Sequence, residues 1–75
     1  MSRLSELRVG TTAAVREVDG QDEIAVRLME MGLIPGTTLT VVGVAPLGDP
    51  LELEVRGYRL SLRRSEAARV QVDVC

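Results

Sequence analysis

The chain has 75 residues, 45% of them hydrophobic, with 11 acidic and 9 basic side chains and a formal net charge of −2. That length sets one small domain with a marginal core, and the net charge argues against a general nucleic-acid binder, which normally carries a basic face. There is no histidine and one cysteine, Cys75. These counts exclude an intramolecular disulfide, a zinc site of ordinary composition and the nucleophile–His arrangements of most hydrolases.

The start, MSRLSELRVG, carries Glu6 and Arg8 where a signal peptide needs an uninterrupted apolar region. No apolar run approaches the roughly 20 residues that span a bilayer. The expectation is a cytoplasmic protein that does not span the membrane, and a lone thiol fits a reducing compartment. Thr11 to Val18 reads as a first strand, with Ala13 and Val15 inward and Arg16 outward, closed by the Asp19-Gly20 turn.

Asp22 to Met31 reads as a helix. Asp22 is a suitable N-cap, and Ile24, Leu28 and Met31 recur at helical spacing, with Ala25 and Met29 widening the stripe. Gly32 sits where a left-handed residue is wanted after the last turn. Leu33 can then fold back on Leu28, and Pro35 forbids continuation. Thr37 to Ala45 follows as a β-branched second strand, with Gly43 marking a bulge or bend.

PLGDPLELEVRGYRLSLR, from Pro46 to Arg63, is the most informative segment. Leu51, Leu53 and Val55, then Tyr58, Leu60 and Leu62, alternate with the period of half-buried strands. A two-residue loop at Arg56-Gly57 sets Val55 against Tyr58, Leu53 against Leu60 and Leu51 against Leu62. It also sets Glu54 against Arg59 on the other face. A one-residue slip would turn the leucines to water. Ser65 can cap a helical turn through Ala68, and Val70, Val72 and Val74 close the chain as a last strand. The order predicts a mostly β protein: a five-stranded antiparallel SH3-like barrel in one domain over residues 1–75, with one helix between the first two strands. An OB-type barrel is the runner-up.

Two further segments carry weight. RLMEMGLIPGTTLTVV, from Arg27 to Val42, and APLGDPLELEVRGYRLSLRRSEAARVQV, from Ala45 to Val72, closely resemble the FeoA family of bacterial ferrous iron uptake. The same domain ends DtxR-type repressors and is fused to FeoB transporters. This chain resembles the free-standing form. The resemblance implies a non-enzymatic accessory role at the cytoplasmic face of the inner membrane, with an FeoB-type membrane GTPase and Fe(II) transporter as partner and no cofactor.

The candidate contact residues are Leu47, Gly48, Asp49, Met29, Arg59 and Arg63. Leu47 is a large apolar side chain in a loop that two prolines stiffen, and a rigid apolar tip loses little entropy on docking. Met29 suits an irregular partner surface. Arg56, Arg59, Arg63, Arg64 and Arg69 form a candidate basic patch, against the alternative of a solvated face paired with Glu52, Glu54 and Glu66. Cys75 reads as incidental, and no metal site is expected. Rival readings are a peptide-binding or RNA-binding SH3-like adaptor unrelated to iron. One aromatic residue is few for either. Exposed strand edges leave a weak homo-oligomer open.

Overall fold

In the computed structural model, which describes residues 2–75, one antiparallel sheet of six strands curls around the core in the order β1-β6-β2-β3-β4-β5. The strands are β1 (Ser2–Arg3), β2 (Thr12–Val18), β3 (Thr38–Val44), β4 (Leu51–Val55), β5 (Tyr58–Leu62) and β6 (Val70–Val74). Two helices, α1 (Glu23–Glu30) and α2 (Arg64–Ala67), and a 3-10 turn at Leu4–Glu6 complete it. The strand absent from the five-strand expectation is β1. Two residues carry no readable alternation, and β1 exists only because Ser2 and Arg3 pair with Val72 and Gln71.

The β4–β5 hairpin has the expected register at all five pairs, from Val55 opposite Tyr58 to Leu51 opposite Leu62. Leu51, Leu53, Val55 and Leu62 are fully buried. Its loop requires a positive φ at both Arg56 (50°) and Gly57 (87°), the conformation that matches strand twist in a two-residue turn. Tyr58 ends 42% exposed, because its ring leans over the rim to hydrogen-bond the Met31 carbonyl.

Bulges bend the sheet in two places: between Val15 and Glu17 on β2, and between Val41 and Gly43 on β3. Ala13 and Val15 face inward as predicted. The 3-10 turn packs on α2 and on β6, and Leu4 from that turn and Ala67 from α2 are both fully buried in the core.

Helix α1 starts at Asp22, whose carboxylate accepts the Ala25 N–H at 3.2 Å. It ends in a Schellman motif: the Gly32 N–H donates to Met29 O (3.0 Å) and the Leu33 N–H to Leu28 O (3.2 Å). Leu28 and Leu33 meet in the core. The buried stripe, however, is Ala25 and Leu28, while Ile24 is 39% exposed. The 8-residue helix touches the barrel along a narrow line, so Ile24 is left on one flank of the buried stripe and Met29 on the other. At α2 the N-cap position is Arg63 rather than Ser65. Glu66 reaches back to accept the Arg63 N–H at 3.0 Å, which starts the turn two residues earlier.

Candidate docking surface

The connection from β3 to β4 is closed at its base, where Ala45 N donates to Pro50 O at 3.0 Å. A tight turn tops it, with the Gly48 N–H on Ala45 O at 2.7 Å. The Asp49–Pro50 peptide is cis, and Gly48 has φ 85°. Leu47 stands at the tip, 96% exposed, on a loop whose own backbone bonds hold it still.

That loop is tied from outside as well. Asp49 Oδ1 accepts the Arg64 backbone N–H at 3.0 Å, capping α2 from another segment of the chain. The Arg64 side chain then donates to Gly48 O (2.9 Å) and to Ser5 O (2.6 Å). One arginine therefore joins loop, helix and N-terminal turn. Sequence reasoning placed Arg64 in a basic patch and missed this role; the short distance from Asp49-Pro50 to the α2 start emerges only once β4 and β5 pair.

Beside the loop lies an open groove of about 620 Å³, lined by Ile24 and Arg27 of α1, by Pro50, by Ser61 and Arg63, and by Ser65 and Glu66. Pro50 belongs to both loop and groove, so the two adjoin. Arg27 is ion-paired with Glu66 across one end. Ser61 and, two residues back, Arg59 share the outer face of β5, and Arg63, the extended residue between β5 and α2, continues that alternation. The structure thus gathers Gly48, Asp49 and Arg63 at one end of the molecule with Leu47 above them. Met29 stands apart, and the groove wall of α1 is Ile24 and Arg27.

The five-arginine patch separates on inspection. Arg69 pairs with Asp22 (2.8 Å), Arg56 reaches Thr37 Oγ1 (3.3 Å), and Arg64 is spent on carbonyls. Arg59 and Arg63 have no ion pair within 4.0 Å among the described residues, although Glu54 is the register partner of Arg59. Two carboxylates are held below their usual range. Hydrogen bonds from Arg3 first, and then Gln71, lower Asp19; hydrogen bonds from Arg69 and then the Ala25 N–H lower Asp22. No three His, Cys, Asp or Glu residues cluster among the described residues in a way that would hold a metal ion, and no helix is long and apolar enough to cross a membrane.

A family model described as the FeoA domain matches residues 2–74. The chain belongs to the FeoA domain family. It is 43% identical over 72 residues to an Fe(2+) transport protein A/Fe(2+) transporter FeoB fusion protein of Porphyromonas gingivalis, a match that covers 96% of this chain and 8% of that one. Among solved structures it is similar to FeoA of Stenotrophomonas maltophilia, crystallised with zinc and described as a prokaryotic SH3 domain protein. The TM-score is 0.85 and the identity 42%, covering 97% of this chain and 91% of that one. The solution structure of FeoA from Chlorobium tepidum superposes with a TM-score of 0.89 at 41% identity, covering 97% and 70%. The SH3-like class inferred from strand order and the family inferred from GLIPG, PLGDP and RGYRLSLR are both correct. This FeoA-domain chain spans only a small part of its FeoB-fused relative, which carries a transporter in the same polypeptide.

Proposed function

We propose that this chain is a non-enzymatic accessory protein of ferrous iron uptake that acts by docking on an FeoB-type transporter. One observation carries the reading: in the P. gingivalis relative, a segment 43% identical to almost the whole of this chain is covalently joined to FeoB. A covalent tether raises the local concentration of one module at another, and contact between the two modules then needs a surface to meet on. The loop supplies one. Leu47 is apolar, exposed and held by Gly48 and Asp49, with Arg63 close by on the groove, so it pays little ordering entropy on contact. The groove offers guanidinium groups, serine hydroxyls and a carboxylate already held by Arg27, which suits recognition rather than bond-making.

Co-purification of the chain with an FeoB-type transporter, together with Fe(II) uptake in cells with and without the chain under iron limitation, tests the reading. The expected result is a complex and reduced uptake on deletion. No complex and unchanged uptake would overturn it.

A further inference from the structure

One wall of the groove is the exposed backbone edge of β5. β5 is an edge strand, paired only with β4. Its two-residue loop closes on the hydrogen-bonded pair Val55–Tyr58, so Leu53–Leu60 and Leu51–Leu62 are hydrogen-bonded too. Glu54–Arg59 and Glu52–Ser61 are the alternate pairs. At those positions the N–H and C=O of Arg59 and Ser61 point away from β4, toward the unpaired edge. The next outward residue, Arg63, is already used: its N–H donates to Glu66 and its carbonyl accepts from Glu66 and Ala67. The free edge is therefore two residues long in outward positions and ends where α2 begins.

Helix α1 stands across from this edge without filling the space. Tyr58 ties one end of β5 to the Met31 carbonyl after α1, and the Arg27–Glu66 ion pair ties the helix to α2 at the other. Between the ties lies the groove, with Ile24 and Arg27 on the helix side and Ser61 and Arg63 on the strand side. An edge strand beside a helix is the geometry in which an extended segment can add itself to a sheet.

Charge selects the occupant. Arg59 and Arg63 lie four residues apart on one face, about 13 Å at strand rise, and neither has an ion pair within 4.0 Å among the described residues. A second copy of β5 fits badly, because an antiparallel two-fold at Ser61 sets Arg59 opposite Arg63 of the other copy, and like charges directly opposite repel. We infer that the groove between α1 and β5 takes an extended acidic segment of the transporter, added as a strand on the β5 edge with two carboxylates four residues apart on Arg59 and Arg63. This inference rests on the docking reading and specifies its chemistry.

The test uses the full chain labelled with ¹⁵N and a blocked, threonine-rich peptide of about nine residues with two glutamates four residues apart. A control peptide carries lysines in their place. The expected result is saturable binding of the glutamate peptide and exchange at the Arg59 and Ser61 amides slowed at least about tenfold, as new strand hydrogen bonds require. Arg59→Glu and Arg63→Glu should each weaken that peptide about tenfold or more, and the double variant should bind the lysine peptide instead, a reversal that mere unfolding cannot produce. Unchanged exchange at these two amides, equal binding of both peptides, or tighter binding of an oligouridylate of matched charge would each overturn the inference. Run with an FeoB-type transporter, the same readout separates the two claims. A complex that leaves the Arg59 and Ser61 amides unprotected defeats the strand-addition inference and leaves docking intact. Peptide capture without any transporter complex defeats docking as the chain's function.

Discussion

The Asp49 carboxylate caps α2 by accepting the Arg64 N–H at 3.0 Å, and the Arg64 guanidinium returns the contact by donating to Gly48 O at 2.9 Å. The two residues lock the loop and the helical turn to each other. An α2 of four residues has little stability of its own, so a cap from outside matters more than in a long helix. Asp49→Ala should lower stability by about 1 kcal/mol, the usual cost of a lost cap, and Arg64→Ala by about 1–2 kcal/mol through its two carbonyl contacts. Denaturant unfolding measures both. In Arg64→Ala the Leu47 and Gly48 resonances should also show faster backbone motion, and an unchanged loop would remove Arg64 from its joining role.

Leu47 is different in kind, because nothing in the fold depends on it. At 96% exposure its side chain contributes no burial, so Leu47→Asp should change unfolding free energy by less than about 0.5 kcal/mol. The same substitution places a charge at the rigid tip and should cost at least about tenfold in affinity for an FeoB-type transporter, read by pull-down or interferometry. Full binding by a folded Leu47→Asp protein would take the loop tip out of the contact surface.

How much of this was visible beforehand depends on the range of the interaction that fixes each feature. The hairpin register, the Asp22 cap and the Gly32–Leu33 ending are local, set by residues within a few positions of one another, and alternation or spacing displays them directly. β1 was hidden because its two residues are defined only by a partner about 70 positions away. Ile24 looked like core because helical spacing gives the apolar stripe but not how wide a strip the barrel covers. The site was half legible. Leu47 could be singled out as an apolar residue between prolines, whereas the division of labour among the arginines depends on which acid or carbonyl each meets after folding. A signal for Arg64 did exist in the pairing of two prolines with an Asp, a loop sequence that invites a backbone-directed cap, but its target lay 15 residues on.

Acid should weaken the fold through Asp19 and Asp22. Both carboxyls sit below their ordinary value of 3.8 in the folded chain, held first by the Arg3 and Arg69 guanidinium groups respectively. In acid the unfolded chain therefore binds more protons than the folded one at these positions. Their contribution is full above about pH 4 and is lost as pH falls through the lowered folded values. Thermal midpoints should hold between about pH 5 and pH 7 and drop below about pH 4, with a shallower drop in Asp22→Asn. Both pairs are solvent-exposed, so high salt should flatten the same curve. A midpoint curve that Asp22→Asn leaves unchanged in shape would remove this pair as a cause.

Gly32 and Tyr58 make the most stringent test of the α1–β5 geometry. Gly32 has φ 108°, and a Cβ built there would collide with the Tyr58 hydroxyl oxygen while standing 3.7 Å from the ring carbon that bears it. Gly32→Ala thus meets two separate penalties, the left-handed backbone and the hydroxyl. Together they should cost more than about 2 kcal/mol. Tyr58→Phe loses only the bond to the Met31 carbonyl, about 1 kcal/mol. In the double variant the hydroxyl is gone, so the collision disappears while the backbone strain stays. The combined loss should fall short of the sum by about 1 kcal/mol, a coupling that denaturant unfolding of the four proteins resolves. Strict additivity would mean that the tyrosine hydroxyl does not stand over Gly32, and that α1 is not pinned to the start of β5 in the way that leaves the groove open between them.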